Sequence, residues 1–401
     1  MSLLLRNKGA MLLLMLNIFL VFMGIGLVIP IMPTYMIELQ ISGSIVGMLV
    51  AAFSLTQLIF SPVAGRLSDS FGRKKMIVIG MVIFAVSEWL FGIANAPALL
   101  FGARMLGGIS AALIMPAVMA YTADITTPKE RATGMGYINA AITTGFIIGP
   151  GIGGFIAEFG MRVPFYSAAV AGAFAALLTL FVLPESPMEE RVKADPLQTE
   201  KQSLFTQLRN SYKEPYFLSL IIVFVASFGL ANYETVFGLF VDQKFGFTPK
   251  DIAFIITFGS IAGAVVQLTI FGWIINKFGE KKVISTCLFV AGLFVLLTLF
   301  THAYWLIVVV TFTLFLAIDI LRPAISTQMS KLAQEQQGYV AGLNSAYTSL
   351  GNIAGPLVAG ILFDIDINFP YAAAAIVLFV CFVLSLTVGK RVVQPNPVIE
   401  K

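Results

Sequence analysis

Long apolar stretches with few charged residues follow one another along the whole chain. An α-helix needs about 20 residues to cross about 30 Å of hydrocarbon, and these stretches are of that length. They predict an all-α membrane protein with twelve transmembrane helices. We number the predicted spans one to twelve, and they cover residues 9–33, 45–65, 76–95, 99–122, 134–156, 163–183, 215–241, 251–274, 283–300, 303–325, 339–363 and 370–389.

Composition supports a membrane protein and argues against several other classes. Hydrophobic residues make up 58% of the 401 residues and charged residues only 11%, which is too little charge to cover a soluble surface. The net charge of +4 comes without a dense basic stripe, so we expect no nucleic-acid partner. Cys287 and Cys381 lie inside apolar stretches, and His302 is the single histidine. We therefore expect no disulfide framework, no metal site and no histidine-based enzyme chemistry.

The positions of Lys and Arg predict how the spans are oriented. The first stretch follows Arg6 and Lys8 but is too long for a signal peptide and has no small-residue cleavage site, so we interpret it as a retained span. With the N-terminus inside, 20 of the 25 Lys and Arg residues fall in cytoplasmic segments, three outside and two within spans. Cytoplasmic loops carry the excess of Lys and Arg in membrane proteins. We therefore expect both termini in the cytoplasm.

A charged segment divides the chain into two halves. Residues 184–214 carry 11 of the 46 charged residues and predict a cytoplasmic linker. It separates a six-helix bundle over 1–183 from a second one over 215–390, and 391–401 form a cytoplasmic tail. Within the linker, apolar residues at i, i+3 and i+7 favour a short helix on the inner membrane surface, although a plain solvated linker is the alternative. These residues are Phe205, Leu208 and Tyr212.

The two halves repeat each other in sequence. Residues 65–75 (GRLSDSFGRKK), after span two, are echoed by 272–282 (GWIINKFGEKK), after span eight, at an offset of 207. Residues 145–150 (GFIIGP) in span five return as 351–356 (GNIAGP) in span eleven, at an offset of 206. Two matches at nearly one offset indicate duplication. Two pseudo-symmetric six-helix halves predict a central cavity near the bilayer midplane that opens to each side in turn.

These motifs resemble the major facilitator superfamily and, within it, the proton-driven multidrug exporters of the NorA and Bmr type. Residues 65–75 are similar to the superfamily's signature loop. Two further stretches, Gly24 to Pro33 and Arg104 to Gly108, match other motifs of the exporter branch. The antiporter motif of span five corresponds to Gly145, Gly149, Pro150, Gly153 and Gly154. The resemblance implies the major facilitator fold and an exporter in the bacterial cell membrane that exchanges protons for amphipathic, often cationic drugs.

The loop after span two carries the predicted gating motif. Its glycines allow tight helix contact and a sharp turn, and its charges favour a latch that holds one gate conformation. The alternative, positive-inside anchoring, explains the basic residues but not the acid. In the second copy the acid and the arginine become Asn276 and Glu280, so we expect a weaker latch there. The motif residues are Gly65, Asp69, Gly72, Arg73 and Lys74.

Five ionisable residues fall within predicted spans, where a charge is costly unless it faces a cavity or a partner. Glu234 and Asp319 are the predicted proton carriers, because a carboxylate at this depth can take up a proton from outside and release it inside. Exporters of the resembled type use acids at matching positions. Arg322 and Arg104 are predicted to balance these charges, although a static Asp319–Arg322 pair or a helix contact at Arg104 is the alternative. The role of Glu88 stays open.

Substrate binding is predicted on apolar and aromatic residues, since promiscuous sites use adaptable contacts. Glu234 is expected to act as a counter-charge for cationic drugs as well. The predicted substrate residues, with Glu234, are Phe22, Ile25, Ile29, Phe53, Gln57, Met115, Phe146, Phe237 and Phe315.

No cofactor other than the coupling proton is expected. The chain has no phosphate-binding Gly-x-x-x-x-Gly-Lys-Ser/Thr loop, which argues against nucleotide hydrolysis. Small amphipathic drugs, protons and the lipid bilayer are the predicted partners, and we expect a monomer. The competing hypotheses are a facilitator or symporter for one metabolite and an integral-membrane enzyme.

Overall fold

The computed structural model describes residues 6–127, 130–186, 204–214, 216–333 and 337–387. Within these ranges the regular structure is helical throughout. The α-helices are α1 (Arg6–Glu38), α2 (Gly43–Phe71), α3 (Arg73–Ile93), α4 (Pro97–Ile125), α5 (Arg131–Ile156), α6 (Val163–Val182), α7 (Leu204–Asn210), α8 (Phe217–Phe245), α9 (Pro249–Thr269), α10 (Phe271–Phe278), α11 (Glu280–Leu299), α12 (Tyr304–Ala333), α13 (Gln337–Ile365) and α14 (Phe369–Thr387).

The twelve predicted spans are confirmed, since twelve of these helices are long and apolar enough to cross a membrane. They are α1 to α6, α8, α9 and α11 to α14. Several helices run past the predicted ends, as α1, α2 and α12 do, and span eight is interrupted. Span eight was expected to run to residue 274, but α9 ends at Thr269 and α10 begins at Phe271. Ile270 and Phe271 at the break are apolar, so hydropathy alone does not reveal it.

The linker contains a short helix, α7, followed by a 3₁₀ turn at Ser211–Lys213. The Ser211 hydroxyl lies 2.8 Å from the Tyr347 hydroxyl of α13, which ties the end of the linker to a membrane helix. The side chain of Phe205 and residues 187–203 lie outside the described part of the chain, as does the predicted tail at 391–401.

Two compact units make up the chain. The first comprises Met1–Gln202, Ala231–Phe258 and Asn352–Pro370. The second comprises Ser203–Leu230, Gly259–Gly351 and Tyr371–Lys401. The first unit thus contains α1 to α6, the end of α8, the start of α9 and the end of α13. Two stretches of the C-terminal half therefore pack with the N-terminal six helices.

Close helix packing in the first unit combines apolar side chains with a few buried polar contacts. Its main helix pairs are α1 with α5, α3 with α4, α2 with α4, and α3 with α6. The Asn17 side-chain amide of α1 donates to the Thr179 hydroxyl of α6 over 2.9 Å, and the Ser110 hydroxyl donates to the carbonyl of Gly80 over 2.9 Å. Hydrogen bonds between membrane helices contribute about 0.6–2 kcal/mol each, so they fix the helix register within an otherwise apolar core.

Candidate functional site

One face of α5 lies at backbone distance from α1. A Cβ atom added to Gly145 would lie 2.7 Å from the carbonyl oxygen of Phe19, and one added to Gly149 would lie 2.6 Å from that of Met23. The same contact recurs at Gly153, whose added Cβ would lie 2.8 Å from the carbonyl oxygen of Leu27. Any larger side chain at these positions would push the two helices apart. The predicted antiporter motif therefore forms a packing seam over two helical turns.

The opposite face of α5 packs against the start of α9 within the same unit. A Cβ on Gly154 would collide with the side chain of Ala253, and one on Gly151 would lie 3.0 Å from the Thr257 hydroxyl oxygen. Just beyond this seam, Lys250 Nζ lies 2.9 Å from Glu158 Oε1. The glycines of the motif thus allow α5 to contact a neighbouring helix on each side.

A second seam joins the start of α2 to the end of α13. A Cβ on Gly47 would collide with the carbonyl oxygen of Pro356, and one on Gly360 would collide with that of Gly43. Asp364 then accepts hydrogen bonds from the backbone amides of Gly43, over 2.6 Å, and Ser44, over 2.9 Å, and from the Ser44 hydroxyl. Free amides and the helix dipole at a helix N-terminus favour an anionic partner. We call these residues of α2 and α13 the α2–α13 seam.

Sequence analysis did not single out the α2–α13 seam. The four-residue glycine spacing of Gly43 and Gly47 was available as a signal, and so was the Pro356–Gly360 spacing. The capping role of Asp364 had no local signal, because its partners lie about 320 residues earlier in the chain.

Two predicted substrate residues meet on α1 and α5. The rings of Phe22 and Phe146 form an edge-to-face pair with centroids 4.8 Å apart. Phe22 is buried, whereas Phe146 is 42% exposed. Ile25 and Ile29, on α1, are half-buried. This arrangement leaves an aromatic surface beside the α1–α5 seam.

A second group surrounds Arg104 on α4. The guanidinium carbon lies 5.0 Å from the ring centroid of Phe53, which is a cation–π geometry. A Cβ on Gly108 would lie 3.1 Å from the backbone nitrogen of Gln57, so α2 and α4 touch at backbone level here. Gln57 and Met115 are half-buried, and Met115 packs against the apolar core of the unit.

Glu88 and Arg104 bring two buried charges into the first unit. Both residues are 7% exposed, and the charge of each acts on the other. Glu88 Oε2 and Arg104 Nε are buried atoms with no hydrogen-bond partner among the described residues. Sequence reasoning placed Glu88 near water or a neighbouring helix, and the structure shows it buried among helices.

Asp319 lies in a glycine groove of α9, within the second unit. A Cβ on Gly263 would collide with the Asp319 carboxylate, and one on Gly259 would lie 2.8 Å from the Phe315 ring. Phe315 and Asp319 thus occupy one face of α12, as the spacing predicts. Arg322 is exposed and acts on the Asp319 charge, but no direct ion pair joins the two in the described part of the chain. The static pair weighed as an alternative is therefore absent from this conformation.

Glu234 is half-buried on α8, in the part of this helix that belongs to the first unit. Its neighbour Tyr233 and Phe237, one turn further on, have fully buried rings that stack with centroids 5.3 Å apart. Phe237, predicted as a substrate contact, therefore lies in the packed interior here.

The loop between α2 and α3 is built around a buried arginine. Gly72 has φ +97°, a backbone conformation that favours glycine, and it allows the sharp turn between the helices. Arg73 Nε lies 3.4 Å from Asp124 Oδ2 at the end of α4, and its Nη1 donates to the Ser68 hydroxyl over 3.1 Å. Asp124 also accepts from the Ser186 hydroxyl over 2.7 Å. Sequence reasoning missed Asp124, whose sequence neighbours do not mark it.

The other three residues of the predicted gating motif are Gly65, Lys74 and Asp69. A Cβ on Gly65 would meet nothing within 4 Å, so the tight helix contact expected there is absent from this conformation. Lys74 is half-buried. The side chain of Asp69 lies outside the described part of the chain, and its predicted latch role stays a prediction.

Comparison with known proteins places this architecture. The sequence model of the Major Facilitator Superfamily matches residues 14–233 and 219–400. The chain belongs to the major facilitator superfamily. It is 50% identical over 376 residues to Multidrug resistance protein 2 of Bacillus subtilis, covering 94% of each chain. It is 41% identical over 355 residues to Quinolone resistance protein NorA of Staphylococcus aureus, covering 88% of this chain and 90% of the relative.

A solved structure has the same fold as this chain. A crystal structure of a bacterial homolog to the human lysosomal transporter Spinster, inward-facing and occupied, superposes with a TM-score of 0.78 at 16% identity. It covers 94% of this chain and 95% of that chain. At this identity the likeness shows the fold alone. The chain is thus a multi-pass membrane protein of a transporter superfamily.

The superfamily's signature loop has a second, charge-reversed copy. Glu280 at the start of α11 forms an ion pair with Lys331 near the end of α12. Both residues follow Arg73 and Asp124 by 207 positions, the same offset as the loop repeat. The prediction of a weaker C-terminal latch was based on the loop residues alone and did not include Lys331, which lies on the facing helix. The prediction itself stays untested. Here the acid is on the loop and the base is on the facing helix.

Proposed function

We propose that this chain is a proton-coupled multidrug exporter of the bacterial cell membrane, which exchanges protons for amphipathic, often cationic compounds by alternating access. The observation that carries the proposal is the carboxylate of Asp319, which packs against Gly263 in a membrane-spanning helix and has no direct ion pair within the described part of the chain. An acid at this depth is costly and marks proton pathways in transporters. The relatives named above for multidrug and quinolone resistance support drugs as the substrates.

Alternating access is supported by two sets of contacts within the first unit, the α2–α13 seam and the contacts between α5 and α9. With the N-terminus in the cytoplasm, α2 and α9 begin at the outer face and α5 and α13 end there. The α2–α13 seam, the α5–α9 contacts and the Lys250–Glu158 pair then form an outer gate that is closed in this conformation. Export requires this gate to open, and the capping hydrogen bonds of Asp364 are among the contacts that must break.

Drug binding is assigned to the aromatic surface beside the α1–α5 seam and to Glu234. Phe22 and Phe146 offer adaptable apolar contacts, and the half-buried Glu234 supplies a counter-charge for a desolvated cation. A cation buried without such a partner would be strongly disfavoured.

The proposal can be tested in intact cells that express the chain. Efflux of a fluorescent amphipathic cation is followed while a protonophore collapses the pH gradient and cellular ATP is held high. We expect efflux to stop. Efflux that continues at the original rate would reject proton coupling, and a chain that moves no drug at all under a full gradient would reject multidrug export.

A further inference from the structure

Glu88 of α3 has no part in the proposed coupling through Glu234 and Asp319, and its neighbour Arg104 of α4 was predicted only to balance charge. Glu88 is 7% exposed, and its Oε2 atom is buried without a hydrogen-bond partner among the described residues. An ionised carboxylate in such a place is strongly disfavoured, whereas a protonated one needs far less compensation. Arg104 is also 7% exposed, and its Nε atom is likewise buried without a hydrogen-bond partner among the described residues.

Helices α1, α2, α4 and α6 pack against α3, so their titratable and charged groups define the electrostatic surroundings of Glu88. On α4, Arg104 is the charge that acts on Glu88. On α1, the Tyr35 hydroxyl donates to the carbonyl of Phe91 over 3.2 Å. On α6, the Tyr166 hydroxyl donates to the carbonyl of Gly92 over 3.1 Å. Arg162, just before α6, forms an ion pair with Glu38. Residues 43–65 of α2 contain no charged side chain.

The position of Glu88 connects it to the helix that forms the α1–α5 seam. A Cβ on Gly24 would lie 3.2 Å from Glu88 Oε1 and 2.6 Å from the ring of Phe84. Two residues later, a Cβ on Gly26 would lie 2.8 Å from Pro150 Cδ of the antiporter motif. The carboxyl and the seam therefore contact the same short stretch of α1. Movement of α1 against α3 changes the surroundings of Glu88 directly.

We propose that Glu88 is a further proton-binding site, in the N-terminal half, with Arg104 as its counter-charge. In the conformation seen here the guanidinium lies over Phe53. In the proposal, this is the state in which the carboxyl carries its proton. When α1 moves, Arg104 turns from Phe53 to the carboxyl, and the proton leaves to water. The proton enters from the outer side and is released to the inner side. This inference rests on the proposed function and names a further residue that carries its coupling ion.

The test compares Glu88→Gln with Asp366→Asn, a matched removal of an exposed acid in the purified full chain. Infrared difference spectra are recorded for a pH step without drug, where a protonated carboxyl gives its own carbonyl band. We expect Glu88→Gln to lose one titrating band that both wild type and Asp366→Asn retain. Unchanged spectra in Glu88→Gln would overturn the proposal.

Proton release on binding of tetraphenylphosphonium gives the second readout. In weakly buffered solution, Glu88→Gln should release about one proton fewer per drug bound than wild type. The double variant Glu88→Gln/Arg104→Gln removes both buried charges, so it tests a purely structural role. If the double variant recovers wild-type proton release, Glu88 merely neutralises Arg104 and the proposal is wrong. The pH-step spectra need no transport, so their result stands apart from a failure of wild type to export drugs.

Discussion

The two halves of the chain share their packing but differ in their charges. A Cβ on Gly145 would lie 2.7 Å from the carbonyl oxygen of Phe19, and one on its counterpart Gly351 would lie 2.7 Å from that of Phe224. The turn glycines Gly72 and Gly279 also correspond and have φ values of +97° and +76°. Close helix approach and tight turns allow few substitutes for glycine, so both copies keep it.

Charged positions follow no such rule. Glu88 and Arg104 correspond to Val295 and Thr311 at the 207-residue offset, and Asp319 corresponds to Ala112. The ion pairs of the two repeated loops, Arg73–Asp124 and Glu280–Lys331, persist with reversed polarity. The difference teaches that the repeat preserves the scaffold while each half has acquired its own ionisable groups.

The largest expected effect comes from removing the carboxylate of Asp319. Asp319→Asn should abolish accumulation of every drug, a loss of more than about tenfold, because the groove at Gly263 then holds no titratable group. Accumulation is measured in vesicles under an imposed pH gradient, with Asp366→Asn as the exposed control. If adding Ala112→Asp to Asp319→Asn restores accumulation, the halves are interchangeable in their charges and the comparison fails.

A more selective effect is expected at Glu234. Glu234→Gln should weaken binding of a cationic drug about tenfold more than binding of a zwitterionic one, because a desolvated cation needs a counter-charge. Equilibrium binding of both drugs to one purified preparation gives the answer. Equal weakening of both would show that Glu234 is no counter-charge for drugs.

The ion pairs of the two repeated loops should differ in strength. Breaking a buried pair costs about 3–5 kcal/mol, whereas an exposed pair contributes about 0–1 kcal/mol. The two acids are similarly exposed, Asp124 at 19% and Glu280 at 18% of the side chain, but Arg73 is 7% exposed and Lys331 is 67% exposed. Asp124→Asn should therefore lower the melting temperature by several degrees, and Glu280→Gln should leave it almost unchanged. A larger shift for Glu280→Gln would reverse the assigned roles.

The smallest effect is expected at the α2–α13 seam. Asp364→Asn keeps a hydrogen-bond acceptor but loses the charge at the α2 N-terminus, which contributes about 0.3–1 kcal/mol. The distance between spin labels at the exposed positions Gln40 and Asp366 reports on this seam. In the variant, the fraction of molecules with a long distance between the two labels should rise by at most about fivefold. An unaltered distance distribution would exclude Asp364 from the outer gate.

The sequence allowed the scaffold to be predicted far better than the contacts. Hydropathy reveals the twelve spans because crossing hydrocarbon demands long apolar helices. Helix periodicity placed Phe315 and Asp319 on one face, but it contains no information on the glycine groove of α9 that receives them. Asp124 and Asp364 were missed because their partners come from other helices. The Glu280–Lys331 pair was within reach, since the repeat offset maps it directly onto Arg73 and Asp124.

Proton-coupled export is tested most directly with the purified chain in proteoliposomes that contain no nucleotide. An acidic lumen is imposed on the vesicles, and uptake of a radiolabelled amphipathic cation is followed for the population in which the cytoplasmic face is outward. The account predicts accumulation above the equilibrium level that collapses when nigericin dissipates the pH gradient, and none in the Asp319→Asn variant. Accumulation that is the same with and without the pH gradient would contradict it.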